Sequence, residues 1–262
     1  MIIIGERINA SRAPIKQALE KKDPNPILRE AELQAKAGCQ FLDVNCGLSG
    51  DREEQDMEWL VTTIQNSVDI NLCIDSPDHR VIERGVSLCK KKALINSITA
   101  EEARFKPLIP VVKKYNCGLI ALTIDEKGMP DTADERFAIA ERLYNILKGD
   151  GIPDEDIFFD PLVRPVSSEP RQAEELLQSI PKIKSLGNVK VISGISNVSY
   201  GLPKRGAINS VFLSIALFAG MDGAILDPLD KGITASYKAA EAILGRDKFC
   251  MNFIQAHRKG SI

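Results

Sequence analysis

The chain has 262 residues, of which 44% are hydrophobic, and a formal net charge of −2 from 34 basic and 36 acidic side chains. This balance argues against a nucleic-acid-binding protein, which would show a clustered basic excess, and no apolar run approaches the roughly 20 residues of a membrane span. The six cysteines are scattered without a CxxC pair, and the opening MIIIGERIN does not read as a signal peptide. We therefore expect reduced thiols and a cytoplasmic location.

Eight short apolar segments recur along the chain, and each is followed by a polar residue. They cover residues 2–4, 41–42, 72–74, 94–95, 119–122, 158–159, 191–192 and 224–226. Helical patterns separate them, and strands that are apolar on both faces are typical of parallel strands covered by helices. Eight such repeats in a chain near the usual length of about 250 residues predict a (β/α)8 TIM barrel. The barrel is expected to be a single domain over 1–262, with a flat doubly wound sheet as the alternative fold.

The ends of several helices carry recognisable signals. The T-x-x-E segments at 99–102 and 132–135 match the capping-box pattern, and the DPNP turn at 23–26 opens a helix to about Ala37. Five glycines follow helical patterns and precede a strand, as helix stops do: Gly38, Gly118, Gly149, Gly187 and Gly220.

Polar residues stand at the carboxyl ends of the predicted strands, on the face where barrels of this kind carry their active sites. Strands three, four and six end in Asp75, Asn96 and Asp160. Any one of them alone is equally well explained as the cap of the following helix. Together, two carboxylates and an amide that both donates and accepts suit a flat heterocycle with several N–H groups.

The seventh strand and the loop after it add three candidates. Gly194 leaves room for a ring against the backbone, and Asn197 offers an amide that can exchange donor and acceptor roles, although a turn asparagine is an equal alternative. Arg205 begins the next helix at the predicted barrel mouth. It either meets an anionic substrate tail or a partner's phosphate, or it is a solvated helix residue.

Several other chemistries lack support in the sequence. The two histidines, His79 and His257, do not stand at strand tips beside a second ligand, so no protein-bound metal is expected. There is no P-loop, no GxGxxG and no recognisable Ser/His/Asp set. Cys46 follows strand two, but no base accompanies it, which argues against a nucleophilic thiol.

An ordered set of motifs resembles a known family. The motifs are GERIN at 5–9, FLDVN at 41–45, IDS at 74–76, LINS at 94–97, DPL at 160–162 and GISNVS at 194–199. The set resembles the methyltetrahydrofolate:corrinoid iron–sulfur protein methyltransferases over essentially the whole chain. It is also similar to the folate domain of cobalamin-dependent methionine synthase and, more distantly, to dihydropteroate synthase. The resemblance implies a pterin-binding TIM barrel of the dihydropteroate-synthase type.

This resemblance implies a reaction and a set of site residues. Asp75, Asn96 and Asp160 match residues that hold the pterin ring. Gly194 and Arg205, which were considered above from the residues themselves, remain the further candidate substrate contacts. Asn197 matches the residue near N5 and is the catalytic candidate. A methyl group would pass, by in-line displacement, between N5 of methyltetrahydrofolate and the cobalt of a corrinoid.

The resemblance also implies partners. The chain has no cobalamin-binding D-x-H-x-x-G motif, so the corrinoid is expected on a separate protein, and a homodimer is implied. Tyr200 and Asn9 are the residues expected to face the corrinoid. Tyr200 stands where related acetogen enzymes have glutamine, which leaves the identity of the partner open. The direction of transfer is also open, because the same pocket can move a methyl group from folate to the corrinoid in acetyl synthesis or from a corrinoid to tetrahydrofolate in demethylation.

Two other functions stay open. Dihydropteroate synthase shares the pocket, but the loop at 9–12 is short and the last strand ends in DPL without an Arg-x-His signature. A non-catalytic pterin carrier would keep the ring contacts but would not need Asn197.

Overall fold

Parallel strands and helices alternate along the chain, of which the computed structural model describes residues 1–47 and 52–262. Within these residues there are eight strands: β1 Ile2–Asn9, β2 Phe41–Asn45, β3 Asn71–Asp75, β4 Leu94–Ile98, β5 Gly118–Leu122, β6 Ile157–Asp160, β7 Lys190–Gly194 and β8 Gly223–Leu226. They form a closed barrel in chain order, and β1 pairs with β8. The predicted (β/α)8 barrel is confirmed, and the closure excludes the flat sheet.

Helices connect the strands, and in the same described stretches they are α1 Ala13–Lys21, α2 Pro24–Lys36, α3 Glu53–Gln65, α4 His79–Ser87, α5 Glu102–Tyr115, α6 Ala133–Gly149, α7 Gln172–Lys184, α8 Arg205–Ala219, α9 Lys231–Ile243 and α10 Met251–Arg258. Both α1 and α2 lie between β1 and β2, and α10 follows the last strand–helix unit. None of the helices in the part of the chain that is described is long and apolar enough to cross a membrane.

The inside of the barrel changes from apolar to polar along the strands. Its apolar layer consists of Ile4, Cys73, Leu94, Ile120, Phe158 and Ile192. Because side chains two positions apart on a strand point to the same face, the next residue in each strand of that parity also points inward. These next positions hold Glu6, Asp75, Asn96, Leu122, Asp160 and Gly194. The barrel therefore gathers the predicted tip residues above an apolar floor.

One of the two predicted capping boxes is confirmed. The Thr132 hydroxyl accepts from the Glu135 N–H at 3.2 Å, and the Glu135 carboxylate accepts from the Thr132 N–H at 2.9 Å. The box predicted at Thr99 is wrong, because α5 begins at Glu102 with Glu101 as its N-cap. Thr99 instead accepts from the N–H of Glu101, two residues on, at 3.3 Å. Its hydroxyl shapes the turn that leaves β4 and not the helix start.

The boundaries of α2 agree with the sequence. Asp23 accepts from the N–H of Asn25 at 3.1 Å, as an N-cap does. Gly38 follows the helix with a φ of +95°, and Gly220 ends α8 with a φ of +109°. Both glycines occupy the left-handed region that disfavours other residues, so these two predicted helix stops are confirmed.

The other three predicted glycine stops are wrong. Gly118 is already the first residue of β5, and Gly149 is still the last residue of α6. The left-handed residues that follow α5 and α6 are Asn116, at φ +51°, and Gly151, at φ +81°. Gly187 lies beyond the end of α7 and does not have a left-handed φ, so it does not stop the helix.

Candidate active site

Two amide–carboxylate pairs line one side of the barrel mouth. Strand register sets Asn45 beside Asp75 and Asp75 beside Asn96. The Asn96 amide donates to Asp43 at 3.1 Å, and the Asn45 amide donates to Asp75 at 2.9 Å. Asp43 is only 4% exposed. The pairs hold two carboxyl groups from neighbouring strands at fixed orientations inside the barrel.

Burial perturbs both carboxyl groups of these pairs. The pKa of Asp43 is raised well above the ordinary range, first by burial and then by the charge of Asp75, against the opposing hydrogen bond from Asn96. Burial also raises the pKa of Asp75, against the hydrogen bond from Asn45. A carboxyl group that retains its proton can donate as well as accept. This side of the mouth can therefore bind a ring that presents both donors and acceptors.

Asp160 occupies the opposite part of the mouth, at the end of β6. Its Oδ1 accepts from the Ser193 hydroxyl at 2.6 Å and from the Leu162 N–H at 2.8 Å. Leu162 itself has a left-handed φ of +66°, so the chain turns sharply directly after this hydrogen bond. Burial raises the pKa of Asp160, and these hydrogen bonds oppose the rise. The carboxyl group is thus held rigidly before any substrate arrives.

Asn197 lies on a short 3₁₀-helix, Ile195–Ser199, that directly follows β7. Its side chain is exposed at the mouth, whereas its neighbour Val198 is buried. Among the described residues, a Cβ added to Gly194 would meet only the Asn197 Nδ2, at 4.0 Å. The structure therefore leaves open space beside Gly194, with the Asn197 amide at its edge, where the sequence predicts that a ring lies against the backbone.

Glu6 connects the first strand to the turn that carries Asn197. The Ser196 hydroxyl donates to the Glu6 carboxylate at 2.9 Å. The pKa of Glu6 is raised, mainly by burial and further by the charge of Asp227. A fourth carboxyl group, which is half-buried, therefore faces the mouth.

The Arg205 side chain points back towards the 3₁₀-helix that follows β7. Its Nη2 donates to the Ser196 carbonyl at 2.6 Å, and its Nε donates to the Ser199 hydroxyl at 3.0 Å. The side chain is exposed at the start of α8. Arg205 thus lies beside the candidate site, with two of its donors bound to the turn.

The two residues expected to face the corrinoid differ in their surroundings. Tyr200 is 67% exposed beside the mouth, and its carbonyl accepts from the Ser167 hydroxyl at 2.8 Å. The amide oxygen of Asn9 accepts from the N–H of Ser11 at 2.9 Å, within the loop after β1. The Tyr200 side chain is therefore accessible at the surface, whereas the Asn9 side chain is hydrogen-bonded to the backbone two residues further on.

Three residues at the mouth, Asp43, Asn45 and Glu6, are not among the site residues predicted from the sequence. All three belong to polar tips that the sequence shows, in the segments at 5–9 and 41–45. Predicting Asp43 and Asn45 requires knowing which side chains of β2 point into the barrel. Phe41 packs against the inner apolar layer, and Asp43 and Asn45 follow it at steps of two residues, so they point inward as well. The alternation of inward-facing and outward-facing residues along β2 could therefore have identified Asp43 and Asn45 as site residues.

The histidines and the cysteine considered for metal binding or nucleophilic catalysis do not support either role. Within residues 1–47 and 52–262, no three His, Cys, Asp or Glu side chains are grouped to hold a metal ion. His79 begins α4 and His257 lies in α10. The Cys46 thiol donates to the Glu53 carbonyl at 3.5 Å, and burial raises its pKa to about 12. Such a thiol is not a thiolate near neutral pH.

Comparison with known proteins identifies the family of the chain. Residues 5–227 match the family described as pterin binding enzyme. The methylcorrinoid:tetrahydrofolate methyltransferase of Eubacterium limosum is 32% identical over 265 residues, covering 100% of this chain and 98% of that protein. The methionine synthase of Mycobacterium tuberculosis is 30% identical over 240 residues, covering 86% of this chain but only 20% of the synthase.

Solved structures share the fold. The dihydropteroate synthase of Yersinia pestis with a sulfonamide drug superposes with a TM-score of 0.72 at 13% identity, covering 94% of this chain and 93% of that one. The enzyme of Xanthomonas albilineans with 7,8-dihydropteroate gives 0.70 at 14% identity, covering 93% of both chains. The dihydropteroate-synthase-like barrel and the family resemblance predicted from the sequence are both confirmed. The chain is therefore a member of the pterin-binding enzyme family and, within it, of the methyltransferases to which its full-length relative belongs.

Proposed function

We propose that this enzyme transfers a methyl group between N5 of tetrahydrofolate and the cobalt of a corrinoid carried by a separate protein. The observation that carries the proposal is the open space beside Gly194, which has Asn197 at its edge within a mouth lined by buried carboxyl groups. The relative from Eubacterium limosum, named as a methylcorrinoid:tetrahydrofolate methyltransferase, supports the same pair of substrates.

The carboxyl and amide groups suit the edge of an amino-pyrimidine ring. Asp75 and Asp160 would accept from its N–H groups, and Asn96 would donate to and accept from its polar edge. Asp43, whose raised pKa favours the neutral form, would add a donor deep in the barrel. Such a ring provides hydrogen-bonding partners for the buried polar groups of the protein, which an apolar ligand would leave unsatisfied.

Asn197 would act where the bond changes take place. Co(I) of the corrinoid supplies the electron pair of the new Co–C bond, and the pair of the broken N5–C bond stays on N5, which takes up a proton. An amide held beside N5 stabilises this change in charge, while the pocket supplies the in-line orientation. The pocket is the same in both directions, so the methylation state of the partner corrinoid sets the direction of transfer.

The corrinoid partner would approach the open face of the barrel, where Tyr200 is exposed. Asn9 is the last residue of β1 and borders the same face. We expect these two residues to contact the corrinoid or its carrier protein. A cytoplasmic location stays a prediction from the scattered cysteines.

A homodimer would cover the outer face of α8. Val211, Ile215 and Phe218 are spaced four and three residues apart, so they share one helix face, and they are 60%, 46% and 77% exposed. The only charged residue of this helix is Arg205, at its start. An uncharged apolar stripe is complementary to a second copy of itself. Phe218→Glu is expected to convert a dimer to a monomer in sedimentation analysis, and an unchanged mass would place the contact elsewhere.

The decisive experiment is anaerobic mixing of the purified protein with cob(I)alamin and methyltetrahydrofolate, followed by the loss of Co(I) absorbance. Protein-dependent loss with formation of methylcobalamin supports the proposal, and methylcobalamin with tetrahydrofolate tests the reverse direction. If tetrahydrofolate binds but neither direction proceeds, with free or protein-bound corrinoid, the transferase function is refuted in favour of a pterin carrier.

A further inference from the structure

Ser196, the residue that precedes Asn197, is held between an acidic and a basic side chain. From inside the barrel, Glu6 accepts from its hydroxyl at 2.9 Å. From the start of α8, the Arg205 Nη2 donates to its carbonyl at 2.6 Å. The turn that presents Asn197 is therefore fixed at this residue from opposite sides.

The same guanidinium also holds the far end of the turn. Its Nε donates to the hydroxyl of Ser199, which is fully buried, at 3.0 Å. A guanidinium is planar, and its donors form a rigid fork. Arg205 thus sets the separation between residues 196 and 199, which flank Asn197 in the short 3₁₀-helix.

Asn197 itself has no comparable support. Its side chain is exposed, and among the described residues its amide takes part in no hydrogen bond. Its carbonyl accepts from the Tyr200 N–H at 3.1 Å, which closes the turn. The position of the amide therefore depends on the backbone that Arg205 and Glu6 hold.

We infer that Arg205 is a positioning residue, which fixes the turn that presents Asn197 and does not serve as a binding site for an anionic substrate tail or corrinoid phosphate. The catalytic consequence of this inference rests on the proposed methyl transfer. The structural consequence does not, because the turn is held in the absence of any substrate.

Hydrogen exchange tests the structural consequence first. In Arg205→Met, the peptide spanning 195–204 is expected to exchange about tenfold faster, as when one charge-assisted hydrogen bond is lost. The Tyr200 N–H and the Leu202 N–H, which is bound to the Ser199 carbonyl at 3.0 Å, report this change. The control is Arg80→Met, which removes an exposed arginine of α4 that binds Asp78. Unchanged exchange in the 195–204 peptide overturns the inference, whether or not the protein transfers methyl groups.

Kinetics then separate positioning from anion binding. Donors would be methyltetrahydrofolate and 5,6-dimethyltetrahydropterin, which lacks the anionic tail; acceptors would be cob(I)alamin and cob(I)inamide, which lacks the nucleotide phosphate. For Arg205→Met and Arg205→Lys, we expect kcat to fall by about 10- to 100-fold, as for a displaced catalytic group, by the same factor with every pair and with little change in KM. A loss confined to KM for tail- or phosphate-bearing substrates overturns the inference.

A double-mutant cycle with Ser199→Ala adds a second check. If the guanidinium acts through the turn, removal of the Ser199 hydroxyl and of Arg205 should be non-additive. Additive losses contradict the positioning role. If the wild-type protein transfers no methyl group at all, the proposed function fails, and the exchange measurement alone decides the inference.

Discussion

Replacing Asp43 with asparagine should stabilise the empty barrel, increasingly so as the pH rises. Asp43 is 4% exposed, and its pKa is raised by burial and by the charge of Asp75. Between the ordinary carboxyl pKa and this raised value, the folded protein keeps a proton that the unfolded chain has lost. Stability therefore falls as the pH rises through that window. Asparagine keeps the oxygen that accepts from Asn96 and removes the titration.

The size of the pH effect on the free energy of unfolding follows from the uptake of one proton by Asp43. Where folded Asp43 is protonated and unfolded Asp43 is ionised, the free energy of unfolding falls by about 1.4 kcal/mol per pH unit. Other buried carboxyl groups titrate in both proteins, so the difference between wild type and Asp43→Asn isolates Asp43. Because the charge of Asp75 also acts on Asp43, we expect a difference that grows by on the order of 1 kcal/mol per pH unit from pH 6 until Asp43 itself ionises.

Urea unfolding at pH 6, 7 and 8, without folate, measures this difference. Asp78→Asn is the matched control, because its hydrogen bonds with Arg80 lower the pKa of Asp78 to about 2. That carboxyl group is ionised in both states throughout this range, so its replacement should shift stability by a constant amount. If the Asp43→Asn difference is also constant, or falls with pH, Asp43 is ionised in the folded barrel and the reasoning is wrong.

Three further substitutions test the proposed pocket. Asn197→Ala should lower methyl transfer by about 100-fold or more with tetrahydrofolate affinity retained, and unchanged turnover would remove Asn197 from the chemistry. Asp160→Ala should weaken tetrahydrofolate binding in calorimetry, and unaltered affinity would mean that the ring is held elsewhere. Gly194→Val should reduce the same affinity without loss of thermal stability, because Gly194 has an ordinary φ of −75° beside open space; retained affinity would show that the ring does not lie there.

The barrel was predictable from the sequence because its signals are local. Each strand is a short apolar run, and each polar tip follows it directly, so Asp75, Asn96 and Asp160 were predicted at positions where they lie at one mouth. The capping box at Thr132 was predictable for the same reason. At Thr99 the same pattern failed, because the threonine directly follows β4 and its hydroxyl is used by the turn.

The details of the mouth were not predictable, because they depend on contacts between distant strands. The pairing of Asn45 with Asp75 joins residues 30 positions apart, and that of Ser196 with Glu6 joins residues 190 apart. No local pattern reports such pairs. The orientation of Arg205 shows the same limit, since the sequence places it on the first turn of a helix but does not show that the side chain folds back onto Ser196.

Stability and binding are expected to oppose each other at this mouth. Burial raises the pKa of Glu6, Asp43, Asp75 and Asp160, which marks each as a carboxyl group whose ionised form is disfavoured in the empty barrel. A pterin ring would supply hydrogen-bond donors to Asp75 and Asp160 and an acceptor to Asp43, so the substrate would compensate for what the empty fold lacks. Sites of this kind trade stability for function. Asp43→Asn should therefore stabilise the empty protein and weaken folate binding, because its benefit lies wholly in the unoccupied state.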